Sequence, residues 1–296
     1  MKNLSMEFRA DIGMIFVAIA FGLGYLPTAW AIESNDVFVL LFWRFFIASV
    51  IIAALFWSKI KSISRTQIRY GVVLSLFLFA GFVSQAFAMK FAASSSVAFI
   101  VGLNVALVPF IASILFGYKI YSYAYIGVAF AVAGLYLICQ TELGFGAGEI
   151  LALVCASAYS FHIVLTANFV RKCEIFGMVY VQIASLSLFC ALASYFVSGV
   201  SVAPVLDTKF FIAMIFICLV GTVFGFFAQA LMQRYTTPIK VALFFTLEPV
   251  TAGIMGVFVG GEILNRWQIL GAVLIIAGVL ISEIGSYFKA KNQNLG

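Results

Sequence analysis

Residues 238–281 read PIKVALFFTLEPVTAGIMGVFVGGEILNRWQILGAVLIIAGVLI, two apolar runs joined by a short polar turn. Each run approaches the ~20 residues that an α-helix needs to cross a bilayer. Glu248 is the one acid lying deep within a run, and Pro249 follows it at once. A carboxylate at that depth is costly and normally faces a bundle interior or a watery cavity. Proline has no N–H, so the carbonyl of Phe245 loses its helical partner. An acid beside an opened backbone inside an apolar helix reads as a place where something binds.

The rest of the chain has the same character. Of its 296 residues 65% are hydrophobic and 9% charged, with mean hydropathy +1.16. Soluble domains carry about a quarter charged residues, so this is an integral membrane protein whose first partner is the lipid bilayer. The net charge of +6 raises nucleic acid as a partner. No basic face with interleaved aromatics lies outside the apolar runs, which argues against it. Cys139, Cys155, Cys173, Cys190 and Cys218 lie far apart without metal or redox spacing. His162 is the sole histidine, which excludes a multi-histidine metal site, and no cofactor is expected. Lys2 and Arg9 precede an apolar run ending Ala29-Trp30-Ala31, as a signal peptide would. That run is longer than the usual 7–15-residue core of such a peptide, so it reads as a retained first span.

Ten runs qualify as spans, at about 11–31, 37–57, 68–89, 95–116, 122–139, 148–168, 176–198, 209–231, 238–259 and 266–285. Ser64-Arg65-Thr66-Gln67 is a capping box opening the third. Thr237-Pro238 and Asn265-Arg266-Trp267-Gln268 open the ninth and tenth. No alternating barrel strand occurs, so the spans are helices. With the N-terminus cytoplasmic, thirteen of the 17 Lys and Arg fall inside. Three (Lys90, Lys209 and Arg266) fall outside, and Arg44 lies within a span. This bias places both termini in the cytoplasm of a multi-pass cell-membrane protein.

Shifting the first half by 144 residues aligns Gly81 with Gly225, Phe82 with Phe226, Gln85 with Gln229 and Ala86 with Ala230. The same offset aligns Val97 with Val241, Gly117 with Gly261, Gly127 with Gly271 and Gly134 with Gly278. Each half then holds an odd number of spans, so the second is inserted upside down. The expected fold is an all-α membrane protein of ten transmembrane helices as two inverted five-helix repeats, 1–143 and 144–296. Inverted repeats of this kind characterise many secondary transporters, with a site near mid-membrane between the halves.

At that offset Glu248 falls opposite Asn104, and the space between them is the expected site. Glu248 reads as a pathway or proton-relay group, with a buried structural acid as the plain alternative. Arg44, flanked by Trp43 and Phe45, reads either as a cation for a substrate carboxylate or phosphate, or as a brace paired with Glu33, Asp36 or a backbone carbonyl. Its counterpart at offset 138 is Gln182. Gln85 and Gln229 end their spans on opposite sides and read as pathway groups near two mouths, or as interhelical contacts. Tyr25, Tyr159 and His162 are further candidates, each also explicable by packing or interfacial anchoring. Gly127/Gly134 and Gly271/Gly278 suit close helix packing. Gly144-Phe145-Gly146-Ala147-Gly148 lacks phosphate-loop context and reads as the linker between halves. Glu262 reads as an acid at a helix junction. No Ser–His–acid set or catalytic carboxylate pair can be assembled, so an enzyme is not expected.

LEPVTAGIMGVFVGGEILNRWQILGAVLIIAGVLI (247–281) resembles the second-repeat signature of the EamA family, the ten-helix branch of the drug/metabolite transporter superfamily. Phe42-Trp43-Arg44-Phe45-Phe46-Ile47-Ala48 is similar to its second-helix arginine motif. The resemblance implies a secondary carrier of small metabolites, often an amino-acid exporter, with a cavity lined by helices 1, 3, 4, 6, 8 and 9. It makes Arg44 and Glu248 pattern residues and Glu262 a structural marker. Phe21-Gly22-Leu23-Gly24 departs from the Trp-Gly pair common in the first helix, and Gly117-Tyr118-Lys119 departs from Gly261-Glu262. The function expected is alternating-access export of an amino acid or related metabolite, with Glu248 the proton-responsive group if transport is proton-coupled. The alternatives are a facilitative carrier of nucleosides, carboxylates or drugs, and a non-transporting scaffold.

Overall fold

Helices lie over all ten expected segments in a computed structural model describing residues 2–118, 120, 122–139, 146–236 and 238–293. In chain order these are α1 (Lys2–Gly22), α2 (Tyr25–Ala31), α3 (Val37–Ile60), α4 (Arg65–Ala88), α5 (Ser94–Val101), α6 (Asn104–Phe116) and α7 (Ser122–Cys139). There follow α8 (Ala147–Phe169), α9 (Ile175–Ala193), α10 (Thr208–Ala213), α11 (Gly225–Gln233), α12 (Pro238–Phe245), α13 (Leu247–Phe258) and α14 (Arg266–Gln293). A π-helical turn, Ser194–Ser198, extends α9, and a longer one, Met214–Phe224, joins α10 to α11. No strand occurs among the described residues. Seven stretches are long and apolar enough to cross a membrane: Phe8–Ala31, Val37–Ile60, Arg65–Ala88, Ser94–Phe116, Ala147–Phe169, Ile175–Ser198 and Thr208–Gln233. Tyr125–Gly134, Leu247–Phe258 and Arg266–Gly278 are shorter apolar helices. Thr237, Lys119 and the linker residues Gly144 and Phe145 lie outside the described residues, as does the junction of the two expected halves.

Local chemistry sets the helix ends. Ser64 and Gln67 form the expected capping box on α4. Gln67 also donates from its amide to the carbonyl (3.1 Å) and carboxylate (3.2 Å) of Glu174. Glu174 in turn caps α9 by accepting from the Gly177 N–H at 3.1 Å. One glutamine therefore ties the starts of two neighbouring helices. Asn265 caps α14 as expected, accepting from the N–H groups of Trp267 and Gln268, both at 2.9 Å. Gly146 opens α8, its N–H held by Glu149 at 3.0 Å.

Three of the ten expected segments are broken, and the breaks meet. The first gives way at Leu23-Gly24, the fourth at Gly102-Leu103 and the ninth at Thr246. Pro27 and Pro249 explain two of these, since each withholds a donor from the carbonyl four residues earlier. A Cβ on Gly22 would lie 2.6 Å from the Glu248 carbonyl oxygen, and one on Gly102 would lie 3.0 Å from the Pro249 ring. Only bare backbone fits so close to that turn of α13. Gly117 and Gly261 reverse the chain after α6 and α13 at φ +69° and +68°. The N–H after each bonds six residues back, Tyr118 to Ala112 and Glu262 to Gly256. The helices α5 and α12 start and end 144 residues apart.

Distinct locks close the two ends of the bundle. At the end carrying the first residues, the near end, Thr236 donates to Asp11 at 3.3 Å and Arg171 donates to the Thr236 carbonyl at 3.3 Å. Beneath them Met14, Val17, Ala18, Val108, Ala112, Ile163, Val164, Val241 and Phe245 form an apolar cluster of their own. At the far end the segment after α9 folds over the α2–α3 turn. There Trp43 donates to the Val202 carbonyl at 2.6 Å, Asn35 exchanges hydrogen bonds with Val205, and Lys209 pairs with Glu33. Glu262 binds the N–H groups of Ser94 (2.9 Å) and Ser95 (3.0 Å) and their hydroxyls, so it caps α5 from across the bundle. Gly134 packs against the Gly271 carbonyl, which brings α7 and α14 together as the glycine spacing implies.

Two outcomes follow. Gly22→Val should destabilise the protein by about 1–3 kcal/mol through overpacking, visible as a lower melting temperature in detergent. The Ser34 hydroxyl and the Phe210 N–H hold the Asp207 carboxyl below its usual range. Its contribution is therefore complete above the unfolded value near 4 and is lost as pH falls through the lower folded value. A melting curve against pH should lose an acid limb in Asp207→Asn.

Candidate functional site

The breaks meet at a central cavity of about 560 Å³ of empty space, counting its mouths. Eight of the nine candidate residues line it: Tyr25, Arg44, Gln85, Asn104, Tyr159, His162, Gln229 and Glu248. Tyr25, Asn104 and Glu248 each stand in the first turn after a break, so the interruptions aim them inward. Glu248 is 7% exposed and accepts a 2.9 Å hydrogen bond from the Tyr25 hydroxyl. Ser160 donates to the Asn104 carbonyl at 3.0 Å. The side-chain oxygens of Asn104 and Gln229 are buried with no hydrogen-bond partner among the described residues.

Arg44 is buried and has no carboxylate partner among the described residues. Its proposed braces are otherwise engaged: Glu33 holds Lys209, while Asp36 caps α3 and accepts from Ser198. The Arg44 Nε instead donates to the Thr222 hydroxyl at 2.8 Å, and that hydroxyl donates to the Ile217 carbonyl at 2.7 Å. The guanidinium lies over the rings of Phe82 (4.3 Å) and Phe45 (5.0 Å), a favourable cation–π setting when desolvated. The π-helical stretch places Thr222 there.

Two placements differ from the sequence reading. Gln85 and Gln229 line the same cavity and not two separate mouths. Gln85 accepts from the Tyr159 hydroxyl at 2.7 Å. Their positions near span ends give depth along the chain but not how far the cavity extends along tilted, broken helices. Gln182 stands behind the wall, hydrogen-bonded to His162, whose ring meets Thr166 at 3.3 Å and the Phe226 edge. Sequence reasoning missed Thr222 and the rings of Phe21, Phe82, Phe226 and Phe245. Thr222 had a signal, as the lone hydroxyl in the apolar run 212–227. The rings had none, being four among 33 phenylalanines. No group of three metal-ligating side chains occurs among the described residues.

The EamA-like transporter family profile matches residues 8–140 and again 146–283. An uncharacterized transporter of Archaeoglobus fulgidus is 27% identical over 281 residues, covering 93% of this chain and 86% of that protein. The uncharacterized inner membrane transporter YedA of Escherichia coli K12 is 24% identical over 201 residues, covering 67% of this chain and 65% of YedA. A solved crystal structure superposes with TM-score 0.69 at 16% identity, covering 92% of this chain and 96% of that one, a likeness of fold.

Because Thr222 is the hydrogen-bond acceptor for a buried cation, Thr222→Val should cost about 1.5–3 kcal/mol. Thr222→Ser should restore most of it. Thermal unfolding of the purified pair checks both.

Proposed function

Since this chain belongs to the EamA-like transporter family, we propose that it is an alternating-access carrier of a small zwitterion with an apolar side chain, an amino acid or a close relative. One observation carries the reading: a single cavity holds a buried cation, a buried acid and two unpartnered amide oxygens between aromatic rings. The carboxylate of Glu248 and the oxygens of Asn104 and Gln229 are three acceptors, the complement of an ammonium group's three N–H donors. The outer nitrogens of Arg44 suit a carboxylate. Phe21, Phe82, Phe226 and Phe245 suit an apolar body between the two charges.

On this reading the chain spans the inner membrane ten times, with both termini in the cytoplasm and halves at 1–143 and 144–296. The matching helix limits of α5 and α12, and the paired turns at Gly117 and Gly261, support an inverted repeat. The shorter apolar stretches within α7, α13 and α14 then cross together with their flanking segments. Glu248 is the group on which a coupling proton would ride, trading its Tyr25 hydrogen bond for the substrate's.

L-phenylalanine, phenethylamine and 3-phenylpropionate share one ring and differ in charge. The zwitterion is expected to bind tightest to the purified protein and to support counterflow in proteoliposomes. Glu248→Gln should weaken the zwitterion and the amine at least tenfold and spare the acid, while Arg44→Gln should do the reverse for the acid. Equal binding of all three probes would overturn the assignment. Flux that ignores a pH gradient, in the unmodified chain and in Glu248→Gln alike, would make the protein a facilitative carrier.

A further inference from the structure

The cavity does not end the polar track on α11. Thr222 on the π-helical stretch, Phe226, Gln229 and Gln233 on one stripe of α11, and Thr236 just past its end follow one another at spacings of three or four residues. The first three belong to the cavity or its arginine, and the last belongs to the near-end lock. Gln233, between them, is 0% exposed, and neither its amide nitrogen nor its amide oxygen has a partner among the described residues. It stands about 6 Å beyond Gln229 along the axis.

The antiparallel pairing of α1 and α11 fixes its level. Gly13 lies against Met232, Thr236 is tied to Asp11, and the Phe21 ring packs at a tilt against that of Phe226. Gln233 is therefore level with Met14 in the apolar cluster that seals the near end. A helix packed only for stability would carry an apolar residue here, because a buried amide without partners is costly. An amide at this place has a use when the seal opens and water or a polar solute runs along the stripe.

On the alternating-access reading above, we propose that Gln233 is a hydrogen-bonding station on the pathway between the cavity and the near end, dry in this conformation and wetted when that end opens. Both halves of its amide are free to serve a passing solute, the N–H as donor and the carbonyl as acceptor.

The labelling arm of the test needs no substrate. Gln229→Cys, Gln233→Cys, Thr236→Cys and the off-stripe Ala230→Cys are made in the full chain and reconstituted in oriented proteoliposomes. Each is treated with the membrane-impermeant anion 2-sulfonatoethyl methanethiosulfonate from either face, with the five native thiols of the unmodified chain as baseline. Position 233 is expected to react from the near-end face at least tenfold faster than position 230. Reaction no faster than at 230, or only from the far face, would overturn the proposal. Gln233→Leu keeps the test open should the cysteine variant fold poorly. With no partner to lose, it should melt no lower than the unmodified protein while its L-phenylalanine counterflow slows tenfold or more. A clearly lower melting temperature would show a structural amide and sink the idea. Labelling at 233 without any counterflow in the unmodified chain would instead fault the transport reading and leave the pathway standing.

Discussion

The contact between Tyr25 and Glu248 is the constraint on which the rest of the architecture depends. It joins the first turn of α2 to the first turn of α13 at the level where three spans lose helical continuity. Two of those interruptions follow from proline chemistry, and bare glycine backbone lets all three approach one another. In hydrocarbon, a carbonyl freed from its ladder is tolerated only where protein or a water-filled space can serve it. The breaks therefore cannot be scattered. They gather around one cavity, and the polar side chains that follow them share it.

That arrangement explains the unequal treatment of charge. The acid is satisfied by a phenol from a neighbouring broken span, a partner that a ligand can displace. The cation is held by one hydroxyl and two aromatic faces, and its outer nitrogens have no hydrogen-bond partner among the described residues. The charged pairs and caps that stabilise the bundle (Lys209 with Glu33, Glu262 on α5, Asp11 with Thr236) all lie at its ends. On the proposed reading, charge at mid-depth serves the solute, and charge at the ends locks the bundle. A carrier has to open one end while the other stays shut, and locks confined to the ends let each be released separately.

Much of this was legible in the sequence because the signals were local. Caps, prolines and turn glycines act within a few residues of themselves, so the limits of α4 and α7 and the start of α14 could be placed closely, whereas α14 runs past the expected end at 285 to Gln293. Glu248, Asn104 and Arg44 announced themselves by polarity in apolar surroundings. What could not be read depended on rotation and tilt. The π-helical stretch turns Thr222 toward Arg44, yet nothing in its composition marks a change of helical pitch. The cavity's four phenylalanines are indistinguishable from others that face lipid. Gln182 was read as a site residue through its offset from Arg44, but it serves His162 from behind, since an offset gives register and not facing.

A double-mutant cycle between Tyr25→Phe and Glu248→Leu, read as unfolding free energy in mixed micelles, addresses the central contact most directly. Hydrogen bonds between membrane helices average ~0.6 kcal/mol in such cycles and reach ~1.7. A pair that fastens two broken spans should sit near the upper figure, about 1–2 kcal/mol of coupling, with each single variant destabilising. Additive effects, with coupling below about 0.3 kcal/mol, would contradict the view that the fold is organised around this contact.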